Sequence, residues 1–325
     1  MGFRLRRQSV IAIAAALVGA ALFVYAVRRA GVTDIIEAIQ RVGWGLVPIL
    51  ALAGLRFVIR AECWRWCLPP GTAFPRRRAF AAFLAGDAVG NVTPLGLLAS
   101  EPTKVLLTRH HLATRGAVAS LAVENLVYAA SVVAMVGIGL IVLAVNVEMP
   151  DVWKATLIGA LAVLAGVGVV SLRAMRGTWD PSRGARPRWR ERLASVRDEA
   201  FHFSGGHPER LLRVFALDLV FHALAVLEVF LTLRWLLGDR SPTLVQAIVF
   251  EALNRVITAA FKFVPFRVGI DEASAGALAP ILSVNPAAGV ALAVVRKVRN
   301  LFWAAIGLVL VAAHPAETTK ATKTI

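Results

Sequence analysis

Hydrophobic residues in this chain fall into blocks of about 20 or more, the length a helix needs to cross a hydrocarbon core, with polar residues gathered between the blocks. Ser9–Val27 predicts a first span, preceded by Arg4, Arg6 and Arg7. Thr33–Val42 predicts a short amphipathic helix lying on the outer membrane surface. It has Ile35, Ile36, Ile39 and Val42 on one face and Thr33 or Asp34 as its cap. Further spans are expected at Trp44–Leu68, Arg115–Val145, Val152–Leu172, Leu211–Leu237 and Pro286–Ala313.

Two regions break this pattern. Gly86–Lys104 (GDAVGNVTPLGLLASEPTK) contains Pro94 and Pro102, each of which removes a backbone donor, and Gly90 and Gly96, which loosen the chain between them. The basic residues Arg76–Arg78 before it and Arg109, His110, His111 and Arg115 after it mark both ends as cytoplasmic. The roughly 30 residues between those clusters are too few for two crossings, which need about 40. A re-entrant hairpin with the NVTP turn near the midplane satisfies both constraints. The second region, Thr243–Ser283, is interrupted at Pro265 and Gly269. The same seven-residue spacing separates Pro94 from Glu101 and Pro265 from Glu272, and a span rich in small residues follows each. The chain then divides into halves at about 1–146 and 147–325, each with three full crossings and one hairpin. An odd number of crossings inverts the second half relative to the first. The expected fold is therefore an all-α polytopic membrane protein: one integral membrane domain over 1–325, about six full spans and two re-entrant hairpins in an inverted repeat, the arrangement of many secondary transporters.

Composition supports the membrane reading, and charge refines it. Of 325 residues 58% are hydrophobic, mean hydropathy is +0.69, and Lys+Arg outnumber Asp+Glu by 36 to 20. Basic cytoplasmic loops account for most of the excess. The loop at about 173–210, within a stretch to Arg213 that holds ten Arg, is the largest, with amphipathic helix expected around Trp189–Phe203. It would attract anionic lipid headgroups. The N-terminal apolar run exceeds a signal-peptide core and lacks a cleavage site, so it is expected to stay as the first span, with both termini cytoplasmic. Cys63 and Cys67 lie on one helix face without His or acidic neighbours at metal-ligand spacing, and are expected to pack as small apolar residues. No phosphate loop, dinucleotide fingerprint, zinc-protease or nucleophile-elbow motif occurs, and no cofactor, metal or nucleic-acid partner is expected.

What remains is charge inside apolar blocks: Asp87, Glu101, Lys104 and Glu124 in the first half, and Arg255, Lys262, Arg267, Asp271, Glu272, Arg296, Lys297 and Arg299 in the second. A charge at the bilayer centre costs about 2.5–3.5 kcal/mol on insertion scales, so such a set must be paired or solvated. Glu101 and Lys104, three apart, suit a helical ion pair. Ser100–Glu101–Pro102 reads as a helix start with Ser100 as cap, and an N-terminus of this kind favours anions. The second half carries more bases than acids, which leaves positive charge for an anionic headgroup. The expected substrate-binding residues are Asn91, Glu101, Lys104, Glu124, Arg267, Asp271, Glu272, Arg296 and Arg299. The arginines would grip phosphate bidentately, while Glu101 and Glu272 hold those bases or exchange protons.

The stretches GNVTPLGLLASEPTKVLLTRHHLATRGAVASLAVENLVYAASV and FVPFRVGIDEASAGAL, the latter followed by AVVRKVRNLFWAAIGLVLV, resemble the two signatures of the lysylphosphatidylglycerol synthase transmembrane-domain, or flippase-like, family. The ASEPTK form and the compact length are most similar to its hopanoid-biosynthesis-associated branch. The resemblance places the family's Gly-Glu element on Ser100–Glu101, its glycine-rich Pro-to-Glu element on Pro265–Glu272, and its Glu-Arg pair on Glu124–Asn125. Ser100 stands for a usual Gly, Asn125 for the Arg, and Phe266–Arg267 for glycines. The family's two-part members carry a soluble aminoacyl-transferase domain, and none is expected in this chain. The resemblance implies a lipid flippase or transporter of the bacterial inner membrane, not an enzyme, moving a lipid or lipid-linked substrate with a polar, anionic headgroup, hopanoid-related in the branch it most resembles. The alternatives are a membrane glycosyltransferase acting on a lipid-linked sugar through Asp271 or Glu272, and a scaffold for lipid-biosynthesis proteins.

Overall fold

A computed structural model describes residues 32–93, 96–148, 159, 166, 206–238, 241–261 and 264–321. The first and fourth expected spans, the Arg-rich loop, Pro94 and Lys262 lie outside the described residues. The described chain is helical: α1 (Val32–Val42), α2 (Leu46–Trp66), α3 (Arg76–Val92), α4 (Gly96–Thr108), α5 (Thr114–Asn146), α6 (Pro208–Leu237), α7 (Leu244–Ala260), α8 (Ile270–Leu278) and α9 (Pro286–Ala321). Single 3-10 turns occupy Gly43–Gly45, Pro265–Arg267 and Ala279–Leu282. Three segments, Gln40–Trp66, Thr114–Asn146 and Pro208–Leu237, are long and apolar enough to cross a membrane. The protein is an all-α, multi-pass membrane protein.

Both interrupted regions form helical hairpins. The arms α3 and α4 have 17 and 13 residues, about 25 and 20 Å at 1.5 Å per residue, short of a hydrocarbon core of about 30 Å. The base of this hairpin sits where α2 ends and α5 begins: Trp64, Leu68, Phe74, Ala79, Leu112 and Ala117 share one apolar cluster. Arg210 at the start of α6 donates to the Leu68 carbonyl at 2.7 Å, which brings α6 to the same end. The second hairpin is rooted at the other end. Ala247 of α7 packs with Leu282 and Val284 beyond α8 and with Leu292 of α9, and Gln246 Nε2 donates to the Leu282 carbonyl at 2.9 Å. The two breaks meet between these ends, where Phe266 is buried against Ala88 and Val92 of α3 and Leu301 and Ala304 of α9.

Helix α2 lies on α6, the first arm of the first hairpin (α3) lies on α9, and the first arm of the second (α7) lies on α5. Glycine makes both of the latter crossings possible. A Cβ on Gly139 of α5 would fall 2.1 Å from that of Ala252, and one on Gly307 of α9 would fall 2.5 Å from that of Ala88.

The first hairpin departs from expectation in two ways. Gly90 and Gly96 do not loosen the first hairpin but close it: a Cβ on Gly96 would lie 2.2 Å from the Gly90 carbonyl oxygen. Helix α4 starts at Gly96 and continues through Pro102, so Ser100 caps nothing; a Cβ on Gly90 would come within 3.0 Å of the Ser100 Cβ. Tight closure at the glycines lets the helix begin directly after the turn, ahead of the proline. At the second break Phe266 and Arg267 hold φ of 49° and 47°, the left-handed region that glycine enters without cost. These are the two positions where Phe and Arg replace the glycines of the resembling motif.

Candidate functional site

Two clusters of buried charge lie in the interior, joined through Tyr128 of α5. In the first, Arg60 of α2 reaches Glu124 of α5 at 2.7 Å and Asp218 of α6 at 3.4 Å, and both carboxylates are fully buried. The Arg60 guanidinium lies over the Tyr128 ring, 3.7 Å from its centroid. Beside it Lys104 pairs with Glu101 at 2.8 Å, as the spacing predicts, and sits 4.1 Å from the Phe83 ring centre. Asn91 Nδ2 donates to Asp87 at 2.8 Å within α3. Cys63 approaches Asp218 at 3.7 Å; it and Cys67 are buried free thiols. Two carboxylates for one guanidinium leave oxygens unsatisfied. Among the described residues Asp218 Oδ2, Glu101 Oε2 and both oxygens of Glu124 make no hydrogen bond, the close Arg60–Glu124 contact being poorly angled.

The second cluster inverts the ratio. Glu228 of α6 takes Arg56 of α2 at 2.9 Å on one oxygen and Arg299 of α9 on the other. Glu251 of α7 takes Arg296 of α9 at 2.8 Å and Arg255, four residues along its own helix. Arg255 also donates to the Tyr128 hydroxyl at 3.1 Å, which links the clusters. His222, stacked on Tyr128, sits 3.1 Å from the Ser131 hydroxyl. Around the second break, Arg267 pairs with Asp271 at 3.1 Å, Lys297 pairs with Glu272, and Glu272 accepts from the Gly269 amide at 2.9 Å. A small cleft lies between α7, α8 and α9, with Asn254, Asp271, Ser274 and Arg296 on its wall and room for about one water molecule.

All nine residues read from sequence as a binding set lie at these clusters or at the two breaks, but their partners differ from expectation. Glu101 and Glu272 were expected to hold Arg267, Arg296 and Arg299. They hold Lys104 and Lys297 instead, and the three arginines go to Asp271, Glu251 and Glu228. Arg296 and Arg299 pair with acids on α7 and α6 that stood outside the expected set. Asn125 donates to the Leu121 carbonyl of its own helix at 2.9 Å. Sequence reasoning missed Arg56, Arg60, Asp218, Glu228, Glu251 and Tyr128 as site residues. Part of the signal was legible, since Arg56/Arg60 and Glu251/Arg255 are each four apart, on one helix face, inside apolar blocks.

A family model described as the lysylphosphatidylglycerol synthase TM region matches residues 10–307. Neither a search of curated proteins nor one of solved structures returned a match.

Proposed function

The chain belongs to the lysylphosphatidylglycerol synthase TM-region family, and from that premise we propose that it is a flippase or transporter. It carries a lipid with an anionic headgroup, hopanoid lipids among the candidates, across the bacterial inner membrane. The observation that carries this reading is the buried ion-pair network between the two hairpins and the helices packed around them. Every charge in it is costly to place at membrane depth, and well-packed apolar residues would hold the helices together at least as firmly. Its pairs bridge elements that approach from opposite ends: Arg60 links α2 to α5 and α6, and Glu251 links α7 to α9. A headgroup phosphate competes for the same guanidiniums, and each pair it breaks frees one helix from another. The arrangement described here is the closed one, with the cations satisfied by protein carboxylates and the acyl or polycyclic tails left in lipid.

The distribution of bases supports an orientation. Arg65, Arg76–Arg78, Arg109 and Arg115 gather with Arg210 at the end where α2 meets α3. By the excess of positive charge this end is cytoplasmic, and α9 runs toward it, which puts the C-terminus inside. The transferase reading loses ground on a specific observation: the acids it would use, Asp271 and Glu272, are engaged by Arg267 and Lys297.

The test is movement of fluorescent anionic lipid in proteoliposomes containing the purified chain. Expected is transbilayer movement well above empty vesicles that falls when Arg296→Gln or Arg299→Gln is introduced. Wild-type protein that moves neither glycerophospholipid nor hopanoid probes, or variants as active as wild type, would sink the reading.

A further inference from the structure

The second cluster has a charge ratio that pairing alone does not explain. Glu228 and Glu251 are each bracketed by two arginines, so each Arg–Glu–Arg triad carries one positive charge more than it neutralises. Asp271, on the same cleft wall as Arg296, is already bound to Arg267, and His222 adds no negative charge. The opposite imbalance lies beyond the Tyr128 ring, where Arg60 faces both Glu124 and Asp218. The triads also hold unused donors. Among the described residues the Nε groups of Arg56 and Arg255 are buried without a hydrogen-bond partner. Both guanidiniums flank one ring, with their central carbons 4.5 and 5.1 Å from the Phe221 centroid, so the two orphan donors belong to one locality. Buried donors left unsatisfied are costly, and buried surplus charge more so.

We propose that the two triads form the binding site for a phosphate monoester dianion, the headgroup charge that two surplus guanidinium charges and two free N–H donors match. A phosphodiester, singly charged, would leave one positive charge buried. A monoester at neutral pH is close to doubly charged and presents three acceptor oxygens to planar forks. This assignment rests on the proposed lipid transport for its source of ligand.

The experiment measures binding in detergent, apart from transport. The full-length chain is titrated with short-chain phosphatidic acid (a monoester), short-chain phosphatidylglycerol (a diester) and glycerol phosphate, with thermal stabilisation as the readout. Expected is a preference for phosphatidic acid over phosphatidylglycerol of about tenfold or more, the scale of one charge-assisted hydrogen bond. Arg56→Gln and Arg255→Gln each remove one surplus charge while the other arginine of the triad still holds its glutamate, so the fold has no stranded carboxylate. In both variants the preference should collapse toward one, and Arg56→Lys, which keeps the charge, should retain it. Equal binding of monoester and diester to the wild type, or a preference unmoved by either Gln variant, overturns the proposal. Glycerol phosphate binding as tightly as phosphatidic acid supports the dianion site and overturns its assignment to a lipid. Binding intact in detergent with no lipid movement in vesicles would refute transport alone.

Discussion

Around Arg60 one guanidinium serves two carboxylates, whereas around Glu228 and Glu251 each carboxylate is served by two guanidiniums. Both clusters are buried, both join several helices, and Tyr128 touches each. They differ in redundancy. The first has a single cation whose loss strands two acids. The second can lose any one arginine and keep every acid paired, which is what a site needs if its pairs are to open for a ligand. The first cluster therefore reads as the joint that holds α2, α5 and α6 together, and the second as the part that exchanges partners.

The two hairpins repeat the contrast. One closes on glycine, where Gly90 and Gly96 let the two arms approach. The other turns through Phe266 and Arg267 in the left-handed region and offsets that strain with a buried ring and an ion pair.

The largest predicted effect tests the redundancy directly. Arg60→Met should destabilise the protein by about 3–5 kcal/mol, since it leaves buried carboxylates unpaired. Arg56→Met should cost far less, because Arg299 still pairs with Glu228. Equal losses of unfolding free energy in detergent for the two variants would erase the distinction. Next, Glu251→Gln replaces a carboxylate held by two arginines and should cost about 2–3 kcal/mol in lost charge-assisted bonds. Glu124→Gln, by contrast, removes one of two acids competing for Arg60 and should stay within about 1 kcal/mol of wild type. Denaturant midpoints of the two variants compared side by side decide this, and a Glu124→Gln loss as large as that of Glu251→Gln would contradict it. For the hairpins, Gly96→Ala pushes a Cβ against the Gly90 backbone and should cost about 1–3 kcal/mol, read as a lowered melting temperature. The smallest effect belongs to Arg267→Gly. It relieves a left-handed non-glycine residue but loses the pair with Asp271 and adds unfolded-state entropy, so the net change should lie within about 1 kcal/mol of zero. A drop of several degrees in melting temperature would mean that the Arg267–Asp271 pair holds the break together.

Much of this was legible along the chain because the relevant physics is local. The apolar blocks mark α2, α5 and α6 to within a few residues and the start of α9, which runs on to Ala321 instead of ending at Ala313; the prolines and glycines mark both breaks, and the Glu101–Lys104 pair follows from helical spacing. The capping role expected of Ser100 failed because Gly96 packs tightly enough for α4 to start before Pro102, a matter of contact across the hairpin.

By itself the sequence determined that this is an all-helical membrane protein with two interrupted regions and an unusual load of charge inside apolar blocks. The tertiary structure decided which charge answers which. Arg56 meets Glu228 across 172 positions and Arg60 meets Asp218 across 158, and no periodicity along either helix encodes such a pairing. Burial compels each charge to find a partner or leave one unmatched. Which partner it finds depends on how α2, α5, α6, α7 and α9 cross. Small residues such as Gly139 and Gly307 govern those crossings as much as the charges do, because two backbones can approach only where no side chain stands between them.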